Sequence, residues 1–172
     1  MVIDLDGLNE KEVRSRFPEV YQHLLQTVKP ERDENREEYR RLNWWLFGRR
    51  NTIMRGAING LDRYIATVET AKHRIFQFLD GSILPDNKML AIGTSDAFHL
   101  GVWSSSAHLE WTFANCGLIG VASFEKGHVY VKSKVFDPFP FPDATPAQRA
   151  TIAELASRCW RTAWLSPMPA TR

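Results

Sequence analysis

The stretch RYIATVETAKHRIFQFLDGSILPDNKMLAIGT, residues 63–94, decides the fold. It holds three short runs of β-branched, aromatic and aliphatic residues, RYIATVE (63–69), HRIFQFL (73–79) and KMLAIGT (88–94). Polar and turn residues such as Asp80-Gly81 and Asp86-Asn87 separate them. Such side chains suit a pleated, half-buried surface and the turn pairs permit chain reversal, so the spacing predicts three strands of one small sheet.

Upstream of this sheet the pattern is helical. Ile53, Ala57, Ile58 and Leu61 suit a short helix over residues 51–60, stopped by Gly60. Residues 9–43 read as three helices: Asn9 caps the first, Pro18 starts the second, and Pro30 starts a third that runs into Trp44-Trp45-Leu46-Phe47. The charges from Glu31 to Arg41 alternate in sign at spacings of three and four, which marks a solvated helix face rather than a DNA patch.

Downstream, Asp96 is placed to cap one helix carrying Phe98, Val102, Trp103, Leu109 and Phe113 and ending near Asn115-Cys116-Gly117. Residues 117–127 form a loop or irregular hairpin, and HVYVKSKVF (128–136) alternates like a strand. In DPFPFP (137–142) the alternate prolines stop both helix and ladder, leaving an extended connector pinned by its aromatics. Thr145 then caps a final helix through Arg161. The predicted class is α+β: an N-terminal helical spacer (1–44), a small mixed or antiparallel sheet domain with packed helices (45–142), and a C-terminal helix and tail (143–172).

Composition narrows the function classes. With 172 residues, 44% hydrophobic and 24% charged, the chain can bury one substantial core and is not of disordered composition. No apolar run approaches the ~20 residues of a membrane span, and the acidic start MVIDLDGLNEKEV is unlike a signal peptide, so the expectation is a cytoplasmic protein with no membrane partner. Cys116 and Cys159 lack zinc or disulfide-framework spacing. The net charge of +2 conceals a basic middle, where residues 45–134 carry 10 Lys and Arg against 7 Asp and Glu. An excess of that size permits nucleic-acid binding without establishing it.

Catalytic patterns are missing. No strand leads into a glycine-rich turn of the kind that holds S-adenosylmethionine. Asp137-Pro138-Phe139-Pro140 lacks the adjacent prolines of the tetrapeptide with which amino-directed methyltransferases hold a flipped base. Asp62, Glu69 and Lys72 suit solvated strand ends better than a metal nuclease, and His99 and His108 are too far apart to share a helical turn as metal ligands. No catalytic, cofactor-binding or metal-binding residue is therefore expected.

Two stretches admit a binding role. Ser104-Ser105-Ser106 interrupts an otherwise apolar helix; its small side chains allow either tight helix packing or the close approach of a phosphate. Lys126, His128, Tyr130, Lys132 and Lys134 alternate along one strand face, which suits either contact with DNA or a lysine-protected sheet edge.

The order Trp44-Trp45-Leu46-Phe47, Arg63-Tyr64-Ile65, Lys72-His73, Gly101-Val102-Trp103-Ser104-Ser105, His108-Leu109-Glu110-Trp111, Cys116-Gly117 and Phe136 through Pro142 resembles the C-terminal target-recognition region of MmeI-like (type IIG/IIL) restriction-modification enzymes and related adenine-specific DNA methyltransferases. The resemblance extends over about residues 15–160. It implies a sequence-specific DNA recognition module that lacks the catalytic domain. S-adenosylmethionine would be bound by a methyltransferase domain elsewhere in the parent chain, which in such enzymes sometimes carries an endonuclease as well. The implied partners are double-stranded DNA and that methyltransferase domain.

The resemblance makes Trp44, Trp45, Trp103, Trp111 and the Phe-Pro run scaffold, and puts specificity in residues 123–134. Base reading then falls to Glu125, Lys126, His128 and Tyr130. Contacts to the DNA backbone fall to Arg49, Arg50, Arg55, Lys72, His73, Arg74, Ser104, Ser105, Lys132 and Lys134. Where the family often has Arg and Lys after Cys-Gly, this chain has Leu118, Ile119 and Gly120. A rival reading is an assembly module that docks on a methyltransferase or nuclease domain and has little DNA affinity alone.

Overall fold

The computed structural model describes residues 3–119 and 127–165. The chain divides into two compact units, Met1–Thr52 and Ile53–Arg172.

The first unit is helical: α1 (Glu10–Arg16), α2 (Pro18–Thr27), α3 (Lys29–Asp33) and α4 (Glu38–Leu42). Asn9 and Glu12 form a reciprocal capping box at 3.0 and 2.8 Å, and Pro18 occupies the first turn of α2, where a missing N–H costs nothing. The third helix expected from Pro30 onward is two short ones. Between them the Asn35 side chain accepts from Glu37 N–H at 2.9 Å, and Arg41 Nη1 donates to the Asn35 carbonyl at 2.7 Å. These local bonds offer the backbone an alternative to the helical ladder. Leu5, Val13 and Leu46 form the core with Leu8, Val20, Tyr21, Leu24 and Trp45 around them. Trp44 is buried against Tyr21, and Trp45 donates its indole N–H to the Leu8 carbonyl at 3.0 Å.

The second unit is α+β. Helix α5 (Thr52–Ile58) precedes a three-stranded antiparallel sheet of order β3-β1-β4, with β1 at Arg63–Val68, β3 at Gln77–Asp80 and β4 at Met89–Ile92. Ile65 pairs with Phe78 on one side and Ile92 on the other. Alternation along β1 feeds two cores. Ile65 packs with Phe76, Phe78, Leu100 and Trp103, whereas Tyr64 and Ala66 pack with Ile58 and, around it, Met54, Leu79 and Met89. The HRIFQFL run enters the sheet late, because Arg74 turns inward and Thr67 Oγ1 donates to the Ile75 carbonyl at 2.8 Å. At the β3 exit Gly81 is obligatory: a Cβ there would lie 1.9 Å from the Leu61 carbonyl oxygen.

The single helix expected after Asp96 is two, α6 (Ala97–Trp103) and α7 (Ser106–Asn115). Asp96 caps α6 by accepting from Phe98 N–H at 2.8 Å. Ser105 caps α7, its hydroxyl accepting from His108 N–H at 3.3 Å while donating to the Val102 carbonyl at 2.6 Å. The serines are thus a helix boundary. Helix α8 (Pro146–Leu165) starts with Thr145 and Gln148 in a capping arrangement and packs on α6. Gly101 makes that approach possible, since a Cβ there would meet Ile152 Cγ2 at 2.5 Å.

A second antiparallel sheet has the order β2-β6-β5, with β2 at Thr70–Ala71, β5 at Gly117–Ile119 and β6 at Gly127–Val129. The expected strand over 128–136 stops after Val129, and Lys132–Phe136 winds into a π-helical turn. The cause is a shortage of partners: β2 and β5 supply only two and three residues of ladder, so after a last bond from Tyr130 N–H to the Glu69 carbonyl at 2.8 Å the backbone bonds to itself. The turn buries Val135 completely, and Trp111 donates to the Val135 carbonyl at 2.9 Å. Beyond it Phe139 packs edge-on against His108, with centroids 4.6 Å apart, and Phe141 meets Phe98 and Trp103.

Candidate nucleic-acid interface

Strands β5 and β6 are the two arms of a hairpin with Leu118 opposite His128 and Ile119 opposite Gly127. The connecting residues 120–126 lie outside the described residues, and with them the expected base readers Glu125 and Lys126. The third strand brings charge to the same end. Ala71 pairs with His128, so Lys72 and His73, both exposed, follow at the end of the sheet where Gly127 and Ile119 lie. Residues more than fifty positions apart in sequence are gathered there by the register.

His128 sits part-way into the protein. Its ring packs against Phe113, centroids 4.7 Å apart, and its carbonyl accepts from Arg74 Nη2 at 2.9 Å. The imidazole is half-buried, so only part of it faces solvent.

Two residues expected at the DNA surface are core residues. Tyr130 is 1% exposed, and its hydroxyl lies 3.0 Å from Nε2 of His108, so it cannot reach a base edge. The strand alternation that suggested a common face with Lys126 ends one residue earlier, and Tyr130 turns inward against Phe76. Arg74 is 7% exposed and donates to the Thr67 hydroxyl and to the Val68, Glu69 and His128 carbonyls. It has no face left for a phosphate. Burial lowers the guanidinium's pKa, against which the neighbouring Tyr130 and Cys116 act.

The remaining expected contacts scatter. Lys132 and Lys134 are exposed but belong to the π-helical turn past the other end of β6, and Lys132 is ion-paired to Asp137 at 2.7 Å. Ser104 is exposed, whereas the Ser105 hydroxyl is committed to capping. Arg49 is exposed; Arg50 is bound to the Asp6 carboxylate and lies near the Tyr39 hydroxyl; Arg55 is half-buried on α5. Of the fourteen residues expected at DNA, the structure brings His128, Lys72 and His73 together.

The contact between His108 and Tyr130 was not anticipated from sequence. His108 is fully buried, with Nδ1 2.9 Å from the Trp103 carbonyl oxygen and Nε2 facing the Tyr130 hydroxyl. Burial holds its imidazole below the ordinary value of 6.5, with the hydrogen bond to Trp103 opposing and the Arg74 charge reinforcing. Burial raises the Tyr130 phenol well above its usual range. A His and a Tyr separated by 22 residues carry no spacing signal; only the fold joins them.

Among the described residues no three His, Cys, Asp or Glu side chains are grouped as a metal site, and no helix is long and apolar enough to cross a membrane.

The architecture is thus a helical unit together with an α+β unit bearing a short hairpin on a secondary sheet. That arrangement has a counterpart among solved structures, the Type IIL restriction-modification enzyme MmeI in complex with DNA, with a TM-score of 0.68 and 18% sequence identity. The match covers 97% of this chain and 21% of that chain, so this chain spans about a fifth of its length. At such an identity the likeness establishes the fold. No family model and no curated protein sequence matches the chain.

Proposed function

We propose that this chain is a DNA target-recognition module of a longer restriction-modification chain, and that the hairpin end of the second sheet faces the DNA. The observation that carries the reading is the likeness of nearly the whole chain to a fifth of a protein solved on DNA. It is supported by the exposed Lys72 and His73 at the root of the hairpin. Lys72 neutralises phosphate; His73 adds a donor, and a second charge when protonated. Glu125, Lys126 and the exposed part of His128 present donors and acceptors to base edges, each good contact being worth ~1–3 kcal/mol of discrimination. Methylation of an adenine amino group, with S-adenosylmethionine as donor, belongs to the rest of the longer chain.

The test is fluorescence anisotropy with mixed-sequence duplex DNA across a salt series, comparing the parent chain with Lys72→Ala and Lys126→Ala. Binding that weakens steeply with salt and falls in both variants supports the reading. Absence of binding even at low salt sinks it for the isolated chain.

One observation favours the assembly reading. A cavity of about 500 Å³ between β3, α6 and α8 is lined by Phe76, Leu100, Ile152 and Trp160, with Ile75 and Leu155 at 64% and 45% exposure. Apolar side chains so open are suited to a protein partner. Trp44, buried within the first unit, and Phe139, packed on His108, are scaffold and add nothing to that surface.

A further inference from the structure

The hairpin is a slight element. Each of its strands has three residues, and β2 adds a two-residue ladder. Strand pairing that short does not by itself fix the hairpin against the domain.

Besides one backbone bond, from Tyr130 N–H to the Glu69 carbonyl at 2.8 Å, what fastens β6 is a set of buried polar side chains. Arg74 bonds the His128 carbonyl of β6 at 2.9 Å and, with the same guanidinium, the Thr67 hydroxyl at 3.2 Å, the Glu69 carbonyl at 3.3 Å and the Val68 carbonyl. It therefore ties β6 to the end of the central strand β1. The guanidinium carbon also lies 4.9 Å from the centre of the Tyr130 ring, the residue that follows β6.

Tyr130 is tied in a second direction. The Trp103 carbonyl can only accept, so Nδ1 of His108 carries the proton and donates to it. Nε2 is then the acceptor, and the Tyr130 hydroxyl donates to it. This relay runs from the end of α6 through α7 to the exit of β6. Every member is buried, so a displaced hairpin would strand several polar groups without water.

We propose that Arg74 and the His108–Tyr130 pair are positioning residues of the recognition hairpin: they set where β6 stands and hence which base edges the hairpin meets, while touching no DNA themselves. The proposal rests on the recognition reading above and extends it to residues that determine specificity from the interior. Base contacts tolerate misplacement of well under ~1 Å, so a loosened anchor costs discrimination before it costs charge-driven binding.

The experiment uses the full chain and the variants Tyr130→Phe, Arg74→Lys and Arg74→Met. Two readouts are taken: amide hydrogen exchange of β6 and β1, and selection from a duplex library randomised at its centre, at fixed salt. Tyr130→Phe keeps the ring and removes one hydroxyl. Protection at His128 and Val129 should fall about tenfold, the worth of one such hydrogen bond, while Tyr64 to Thr67 keep theirs. Total binding to the library should stay within about twofold, and the enriched motif should lose contrast. Arg74→Lys should not restore the motif, because a point charge cannot span acceptors on both strands.

Equal loss of protection in β1 and β6, or an unchanged motif with unchanged β6 protection, overturns the proposal. If the parent chain enriches no motif, the recognition reading fails and the specificity half of the proposal with it. The exchange arm then still decides whether these residues hold β6.

Discussion

The two sheets of the second unit are held by different physics. In the first, β1 is covered on both faces, with Tyr64, Ile65 and Ala66 at 0% exposure and Thr67 at 2%. In the second, β5 and β6 are three residues long, β6 buries Val129, and its placement depends on Arg74 and the His108–Tyr130 relay. Burial is summed over many weak contacts and tolerates exchange of surface residues. A polar anchor is a few directional bonds, so it can be changed one atom at a time. The contrast lets a hairpin be shifted without disturbing the core beside it.

The strongest way to break the contrast is to attack the first sheet. Ile65→Ala removes a fully buried side chain from the larger core and should cost about 2–5 kcal/mol, read as a lower urea midpoint. A loss under ~1 kcal/mol would mean that β1 is not the pillar described here.

Next in size is Arg74→Met, which fills similar space but leaves three carbonyls and the Thr67 hydroxyl short of a donor. The expected cost is about 2–3 kcal/mol, roughly that of one or two unsatisfied buried acceptors. A neutral result in the same urea titration would show that these carbonyls find water and that the polar anchor is dispensable.

The first sheet was legible in the sequence and the second was not, for reasons the same residues display. Tyr64 to Val68 is a run of aromatic, aliphatic and β-branched residues, and two further such runs follow it, reversed by turn residues such as Asp80-Gly81 and Asp86-Asn87, so a sheet is the expected outcome. HVYVKSKVF alternates just as a strand should, yet only Gly127–Val129 is one, because strand content also needs partners and β2 and β5 supply too few. Tyr130 and Arg74 were misread from the same cause: alternation and charge placed them outside, while tertiary bonds from His108 and three carbonyls hold them inside. Lys72 and His73 were legible as basic and polar; that they stand beside the hairpin follows from the Ala71–His128 register, which no local pattern encodes.

Acid should separate the two regions. Folding holds His108 neutral and its pKa lies below 6.5, so between the folded and unfolded values the unfolded chain binds more protons. The contribution is complete above 6.5 and is lost as pH falls through 6.5 toward the depressed folded value. His108→Gln should flatten that part of the stability profile, measured as urea midpoints between pH 7.5 and 5 at about constant ionic strength. A variant with the same slope as the parent would move the acid sensitivity to another group.

The smallest effect on stability should come from Lys72→Ala, and this makes it the sharpest probe of function. Lys72 is exposed and lies at the hairpin end of the second sheet, outside the Arg74 anchor and the His108–Tyr130 relay. Its removal should leave the urea midpoint within ~0.5 kcal/mol of the parent. If Lys72 meets a phosphate, the slope of log affinity against log salt should drop by about 0.9, with all sequences weakened alike. If the slope is unchanged while the affinity falls for some sequences only, Lys72 reads bases. If neither moves, the hairpin end does not face DNA, and the apolar cavity beside α8 becomes the surface to test. A stability change larger than the binding change would break the comparison from the other side, because it would show that the second sheet depends on its exposed charge as well as on its buried bonds.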